Sequence, residues 1–210
     1  MFKDLVELRN DTIEDITGWL WPKEDTELWE GPKVDWEISH VNAITRVRGN
    51  QVAVQAGGGC GMYPRLLANR FSWVYTFEPD FLNFHCLVNN CQHPNIMKFQ
   101  GALGNRRKPV TLHRAPSENA GMHQIRYDIP GAIPCFMLDD FDLHACDLLM
   151  IDTERTERQA LEGCVETIKK FHPLILVELG NVDGITEFLQ EFGYVFDGQS
   201  RADWVFVWKE

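Results

Sequence analysis

Four carboxylates stand at or just past the end of a short apolar run. Glu78 follows Trp73-Val74-Tyr75-Thr76-Phe77, Asp152 follows Leu148-Leu149-Met150-Ile151 with Glu154 two residues on, and Glu178 follows Leu174-Ile175-Leu176-Val177. An acid at the end of a buried strand is held rigidly at a sheet edge. There it can accept hydrogen bonds from sugar hydroxyls or take a proton from a reacting hydroxyl. A further run, Val52-Ala53-Val54-Gln55-Ala56, leads straight into Gly57-Gly58-Gly59-Cys60-Gly61. Glycines let a ligand approach the backbone closely. Pro64 sits near the start of the next helical stretch, where proline is tolerated.

Spacing narrows the ligand. The dinucleotide pattern G-x-G-x-x-G fails in every frame: from Gly57 it ends on Met62, from Gly58 its middle is Cys60, and from Gly59 it ends on Pro64. No Gly-Lys-Ser/Thr tripeptide closes a phosphate loop. What remains is G-x-G-x-G at Gly57, Gly59 and Gly61, with Glu78 about 20 residues on, at the distance of a ribose-binding acid. That pairing suits a nucleoside without a pyrophosphate, of which S-adenosylmethionine is the common one. The expected cofactor contacts are Gln55, Gly57, Gly59 and Gly61 at the turn and Glu78 at the ribose. Gln100 or the backbone of Ala102 is expected beside the adenine.

Strand and helix patterns alternate, which predicts an α/β chain with a doubly wound, Rossmann-like, mostly parallel sheet. Ile96–Gln100 is its third strand. Asp80 is an N-cap for a helix through about Cys91, with Phe81, Phe84, Val88 and Cys91 as its buried stripe. Thr153 or Thr156 starts a helix burying Leu161, Val165 and Ile168, and Asp183 starts one with Ile185, Phe188, Leu189 and Phe192 on one face. Tyr194–Phe196 and Trp204–Trp208 form a terminal hairpin, giving the sheet an antiparallel edge. Residues 104–137 read as an inserted β-hairpin, with strands at Pro109–His113 and Met122–Tyr127. His113 and His123 lie in it as candidate bases, but without a nameable partner structural or solvated roles are expected. Residues 1–48 read as a helical, tryptophan-rich cap ahead of a single domain, 49–210. Ile13, Ile16 and Leu20 suggest a helix from Asp11 to Leu20, and Glu37–Val47 a second one ending at Gly49. Trp19, Trp21, Trp29 and Trp36 pack onto the domain or wall the substrate pocket.

Several stretches together resemble FkbM-type methyltransferases: Val74 to Asn90, Leu138-Asp139-Asp140-Phe141, Asp147 to Glu154 with Glu157 and Leu161, and His172 to Glu178. They occur in the family's order from about Trp36 to Glu178. The resemblance implies a class I, S-adenosylmethionine-dependent methyltransferase that acts mostly on oxygen of sugars or small metabolites. Asp152 and Glu154 flank the position expected for the methyl group, as base or hydroxyl orienter, with Glu178 beside them. Structural capping is the alternative for all three. The chain departs from the family in having Gln55 for aspartate, Gly58-Gly59 for Ala-Asn, Met150 for lysine and Arg155 for glycine. These departures leave a non-catalytic binding module on the same fold as the alternative function.

The 210 residues suit one domain, and a net charge of −11 argues against nucleic acid and so against an RNA methyltransferase. Arg106-Arg107-Lys108 is the one dense basic run and reads as a solvated turn. Six cysteines without a C-x-x-C pair and without a signal peptide suggest free thiols and a cytoplasmic protein. The local group His85, Cys86, Cys91 and His93 matches no zinc spacing. No metal or membrane span is expected. The expected partner is a small-molecule or glycan acceptor, and nothing indicates an oligomeric state.

Overall fold

The computed structural model describes residues 13–16, 18–25, 43–115, 119–178, 184–200 and 203–209. The strands are β1 (Ile13–Ile16), β2 (Trp19–Pro22), β3 (Val52–Ala56), β4 (Trp73–Glu78), β5 (Ile96–Gln100), β6 (Ala102–Leu103) and β7 (Thr111–His113), followed by β8 (Gln124–Arg126), β9 (Cys135–Phe136), β10 (Leu148–Ile151), β11 (Leu174–Glu178), β12 (Tyr194–Ser200) and β13 (Asp203–Trp208). The helices are α1 (Met62–Ala68), α2 (Phe81–Asn90), α3 (Glu157–Glu162), α4 (Val165–Phe171) and α5 (Ile185–Gln190).

Seven strands form one sheet in the order β12-β13-β11-β10-β3-β4-β5. The five from β11 to β5 run parallel, and β13 is antiparallel to both β11 and β12. The central strands are apolar on both faces because helices cover both. One face packs Ala53, Val74, Leu148 and Leu176 against Tyr63 and Leu67 of α1. The other packs Val54, Ile151 and Val177 against Leu161, Ile168 and Phe188 of α3 to α5. All first turns of the parallel crossovers therefore emerge at one edge, where open α/β sheets bind ligands. Among the described residues no helix is long and apolar enough to cross a membrane.

Four expectations are corrected. The stretch read as a helix from Asp11 is an antiparallel hairpin over its described part, pairing Ile13 with Pro22 and Ile16 with Trp19. The two-residue connection ending in Gly18 is a hairpin signal that outweighs the helical spacing of three isoleucine and leucine side chains. In α2 the buried residues are Leu82, Asn83, Cys86 and Leu87, whereas Phe81 is 57% and Val88 38% exposed. Cys91 is buried as expected, whereas the rest of the stripe is offset by one residue from Phe81, Phe84 and Val88. The helix after Thr156 is broken at Gly163-Cys164 into α3 and α4. Gly49 follows a turn rather than capping a helix, and its bare Cα admits the Asp147 carboxylate, which holds Gln51 and Val52 N–H. Trp29, Trp36, Asp183 and the segment Glu37 to Asn42 lie outside the described residues.

Candidate active site

The carboxyl edge of the sheet opens into a cleft of about 690 Å³, its mouth included. Gly57 and Gly59 line it, with Glu78 and Asp152 from the strands on either side of β3. Thr153, Glu154 and Glu178 continue one wall, while Phe77, Ala102, Leu103 and Ile125 supply apolar surface.

The glycine turn provides space rather than donors. Gly57 has φ +86°, and a Cβ there would lie 1.7 Å from the Asp152 carbonyl oxygen. Gly57 and Gly58 both donate their N–H to the Phe77 carbonyl, at 3.0 and 2.9 Å, and Gly61 N–H donates to Gly58 O. Gly59 N–H donates to Glu78 Oε2 at 2.7 Å. With these N–H groups spent inside the fold, the turn cannot cradle a phosphate. Gly59, at φ +50°, has no atom within 4 Å of where a Cβ would stand, so a ligand can lie directly over it.

Glu78 is the best-defined polar group of the cleft. Its Oε1 accepts the Asp80 N–H at 2.8 Å, so backbone donors fix both oxygens. Burial pushes its carboxyl up to about 8 against the pull of those two bonds. A buried, oriented acid facing an open cleft is suited to a ribose diol.

Three expected contacts do not line the cleft. Gln55 is fully buried under the turn, accepts the Thr76 hydroxyl at 2.6 Å and donates to Gly57 O at 2.5 Å. It is a strut for the turn. Gly61 begins α1 and packs against α2, where a Cβ would lie 2.6 Å from Cys91 Sγ. Gln100 is exposed at the end of β5, and the chain turns at Gly101 to carry Ala102 into the wall instead.

Asp152, Glu154 and Glu178 come together, with one oxygen of each within 4.8 Å of the others. Clustered carboxylates are common at open clefts without a cation, and the described residues bring no histidine or cysteine to this group. The turn that carries the first two is bent. Glu154 and Arg155 have φ +50° and +74°, left-handed values that are disfavoured for residues with a Cβ. Glu157 braces it by accepting the Arg155 N–H at 2.8 Å, and burial pushes that carboxyl upward. Thr156 adds a hydroxyl bond to Thr153 O.

Two hairpins outside the central sheet border the site. Antiparallel β7 and β8 carry His123 and Ile125 into the cleft lining, and Asn83 on α2 donates to Ala120 O at 2.9 Å in the connection between them. The β1–β2 hairpin brings Trp21 and Asp25 over the glycine turn, beside a second hollow that shares Gly57, Gly59 and Asn83 with the cleft. Asp80 joins both hairpins to the core: it caps α2 through Leu82 and Asn83 N–H and accepts Arg114 Nε at 2.7 Å, and Arg114 also pairs with Glu24. Sequence reasoning missed Asn83 and Asp25 at the site, and it left Trp21 and His123 between a structural and a site role. The signals for the latter two were an aromatic-rich cap and a titratable ring in an insertion, whereas Asn83 and Asp25 carried none.

A family model described as the methyltransferase FkbM domain matches residues 62–196. The chain belongs to the FkbM methyltransferase family. No curated protein matches it significantly. Among solved structures it is similar to the FkbM methyltransferase of Methylobacillus flagellatus, at a TM-score of 0.53 and 19% identity over 76% of this chain and 44% of that one. It therefore spans less than half the length of that relative. It is also similar to a candidate methyltransferase of Streptococcus mutans crystallised with S-adenosylhomocysteine, at a TM-score of 0.51 and 9% identity over 81% of this chain and 94% of that one. The shared fold is the Rossmann-like fold of class I S-adenosylmethionine-dependent methyltransferases.

The departures from the FkbM pattern now have positions. Gln55 and Met150 are register partners on neighbouring strands, and both are buried. The family pattern of aspartate and lysine at these two places would put an ion pair inside the sheet. Replacing both by neutral groups leaves no stranded charge, whereas replacing one would cost several kcal/mol, on the order of 3–5. Arg155 stands where the family has glycine, at a φ that glycine adopts without strain.

Proposed function

We propose that this protein transfers a methyl group from S-adenosylmethionine to a hydroxyl of a sugar or other small metabolite, with the cleft as its active site. The observation that carries this reading is that one cleft joins three things on one sheet edge: the phosphate-averse glycine turn, the ribose-ready Glu78 and a trio of carboxylates. S-adenosylmethionine supplies a methyl group already activated on a sulfonium. Glu78 accepts the ribose hydroxyls, Phe77, Ala102, Leu103 and Ile125 enclose the purine, and Gly57 and Gly59 leave room for the chain that leads to the sulfur. Asp152 and Glu154 orient the acceptor hydroxyl toward the methyl position, and the carboxylate trio with Glu178 receives its proton. Alignment is the larger contribution, because a well-placed pair of reactants gains on the order of 7 kcal/mol from proximity alone.

Calorimetry with S-adenosylhomocysteine, followed by methyl-transfer assays over a panel of glycans and hydroxylated metabolites, tests the reading. Binding together with hydroxyl-dependent turnover that Asp152→Asn abolishes is the expected result. Binding without transfer to any acceptor would support the non-catalytic module instead.

A further inference from the structure

One guanidinium ties together three segments that lie far apart along the chain. Arg114 directly follows β7 in the inserted hairpin. Its Nε donates to Asp80 Oδ2 at 2.7 Å, and its Nη2 pairs with Glu24. Asp80 caps α2, and Glu24 lies in the turn just after β2. The same guanidinium stands 5.2 Å from the centre of the Phe81 ring, so that exposed ring has a partner. The Asp80 carboxylate is fully buried, and Arg114 is its one charged hydrogen-bond donor among the described residues. His123 Nε2 is 3.9 Å from it, beyond hydrogen-bond reach. Reaching two acids at once takes the fixed fork of a guanidinium, which the point charge of a lysine does not reproduce.

Both arms of this clasp lead to the ligand site. On one arm, Asp80 N–H holds Glu78 Oε1, and Asp80 Oδ1 holds the N–H of Asn83, which lines both the cleft and the second hollow. On the other arm, Glu24 is followed by Asp25. Asp25 N–H closes the turn onto Pro22 O at 3.1 Å, and its Oδ2 accepts Trp21 Nε1–H at 2.8 Å. Trp21 and Asp25 line the second hollow beside Gly57, Gly58 and Gly59, and Asp25 is the one charged side chain of that lining among the described residues. Neighbouring acids thus divide the work: Glu24 fastens the turn, and Asp25 sets a negative charge beside the glycines. The amino-acid end of S-adenosylmethionine carries an ammonium, the complement of that charge. We propose that Arg114 is a positioning residue: by fastening the Pro22–Asp25 turn to the start of α2, it holds the wall of the second hollow against the amino-acid end of the cofactor. This rests on the cleft binding an adenosyl cofactor, as proposed above.

The test compares S-adenosylhomocysteine, which carries the amino-acid end, with 5′-methylthioadenosine, which lacks it. Each is titrated into wild type, Glu24→Gln, Arg114→Lys and the double variant, and circular dichroism checks that each variant is folded. Glutamine removes the charge of the outer arm alone. Lysine keeps a charge beside buried Asp80 and gives up the span to Glu24. Wild type should bind S-adenosylhomocysteine more tightly than 5′-methylthioadenosine. Each single variant should weaken S-adenosylhomocysteine about threefold to fivefold, the worth of a half-exposed ion pair, and leave 5′-methylthioadenosine unchanged. The double variant should be no weaker than either single one, because both substitutions remove the same contact. A clasp that only supports the fold would weaken both ligands alike or neither, and either result would overturn the proposal. So would additive losses in the double variant, or equal wild-type affinity for the two ligands. If neither ligand binds wild type at all, the cofactor reading itself fails and this assignment with it.

Discussion

Glu78→Ala offers the most quantitative test of the site. In the wild type the carboxyl sits near 8, so at pH 7 about a tenth of the molecules carry the ionised form that best accepts ribose hydroxyls. Apparent affinity for an adenosine ligand should therefore rise roughly tenfold from pH 7 to pH 9 as the competent fraction approaches one. Two charge-assisted hydrogen bonds contribute on the order of 3–5 kcal/mol at the upper pH, so alanine should weaken binding there by roughly a hundredfold to a few thousandfold. At pH 7 the ratio should be about tenfold smaller. 5′-Methylthioadenosine is the right ligand because it keeps the ribose and has no amine that titrates in this range. Calorimetry at pH 7 in phosphate and in Tris adds a second readout, since binding should release close to one proton in wild type and none in the variant. The fold follows the opposite sign. A raised carboxyl stabilises the native state most below its unfolded value of about 4.5, and that contribution is lost as pH rises through about 8. A wild-type affinity flat from pH 6.5 to 9, with no buffer-dependent heat, would refute the assignment of Glu78 to the ribose.

Two other substitutions probe the frame of the site. Gly57→Ala places a methyl group 1.7 Å from the Asp152 carbonyl oxygen at φ +86°; thermal melts should show a loss of several kcal/mol, about 3 or more, and binding should fall with it. Arg155→Gly relieves a left-handed residue at φ +74°. Denaturant titration should show a gain of about 0.5–1 kcal/mol, and a loss would mean that the arginine side chain earns its strained backbone.

The sheet was legible because β3, β4, β10 and β11 are short, nearly unbroken apolar runs that only two-sided burial explains. Their ends gave Glu78, Asp152, Glu154 and Glu178, since strand direction alone decides which edge an acid occupies. Contacts that depend on side-chain direction were not legible in the same way. Gln55 and Gln100 sit at the right strands, but one is buried behind the turn and the other faces solvent. The β1–β2 hairpin escaped because three apolar residues at helical spacing fit a helix as well as they fit a strand pair, and Gly18 was the deciding residue. No partner for His123 could be named, because its neighbours Asp80 and Glu24 are far away in sequence. Gln55 and Met150 read as two separate departures along the chain but are register partners in the sheet.

Asn90 has a consequence outside catalysis. Its side-chain amide accepts the Leu20 N–H and donates to the Leu20 carbonyl, both at 2.9 Å, and a second bond goes to Cys60 O at 2.8 Å. One primary amide thus does for β2 what a neighbouring peptide would do. A two-stranded ribbon leaves open margins that recruit strands from other molecules. Here a helix side chain occupies that margin at Leu20, so this ribbon is also screened against self-association.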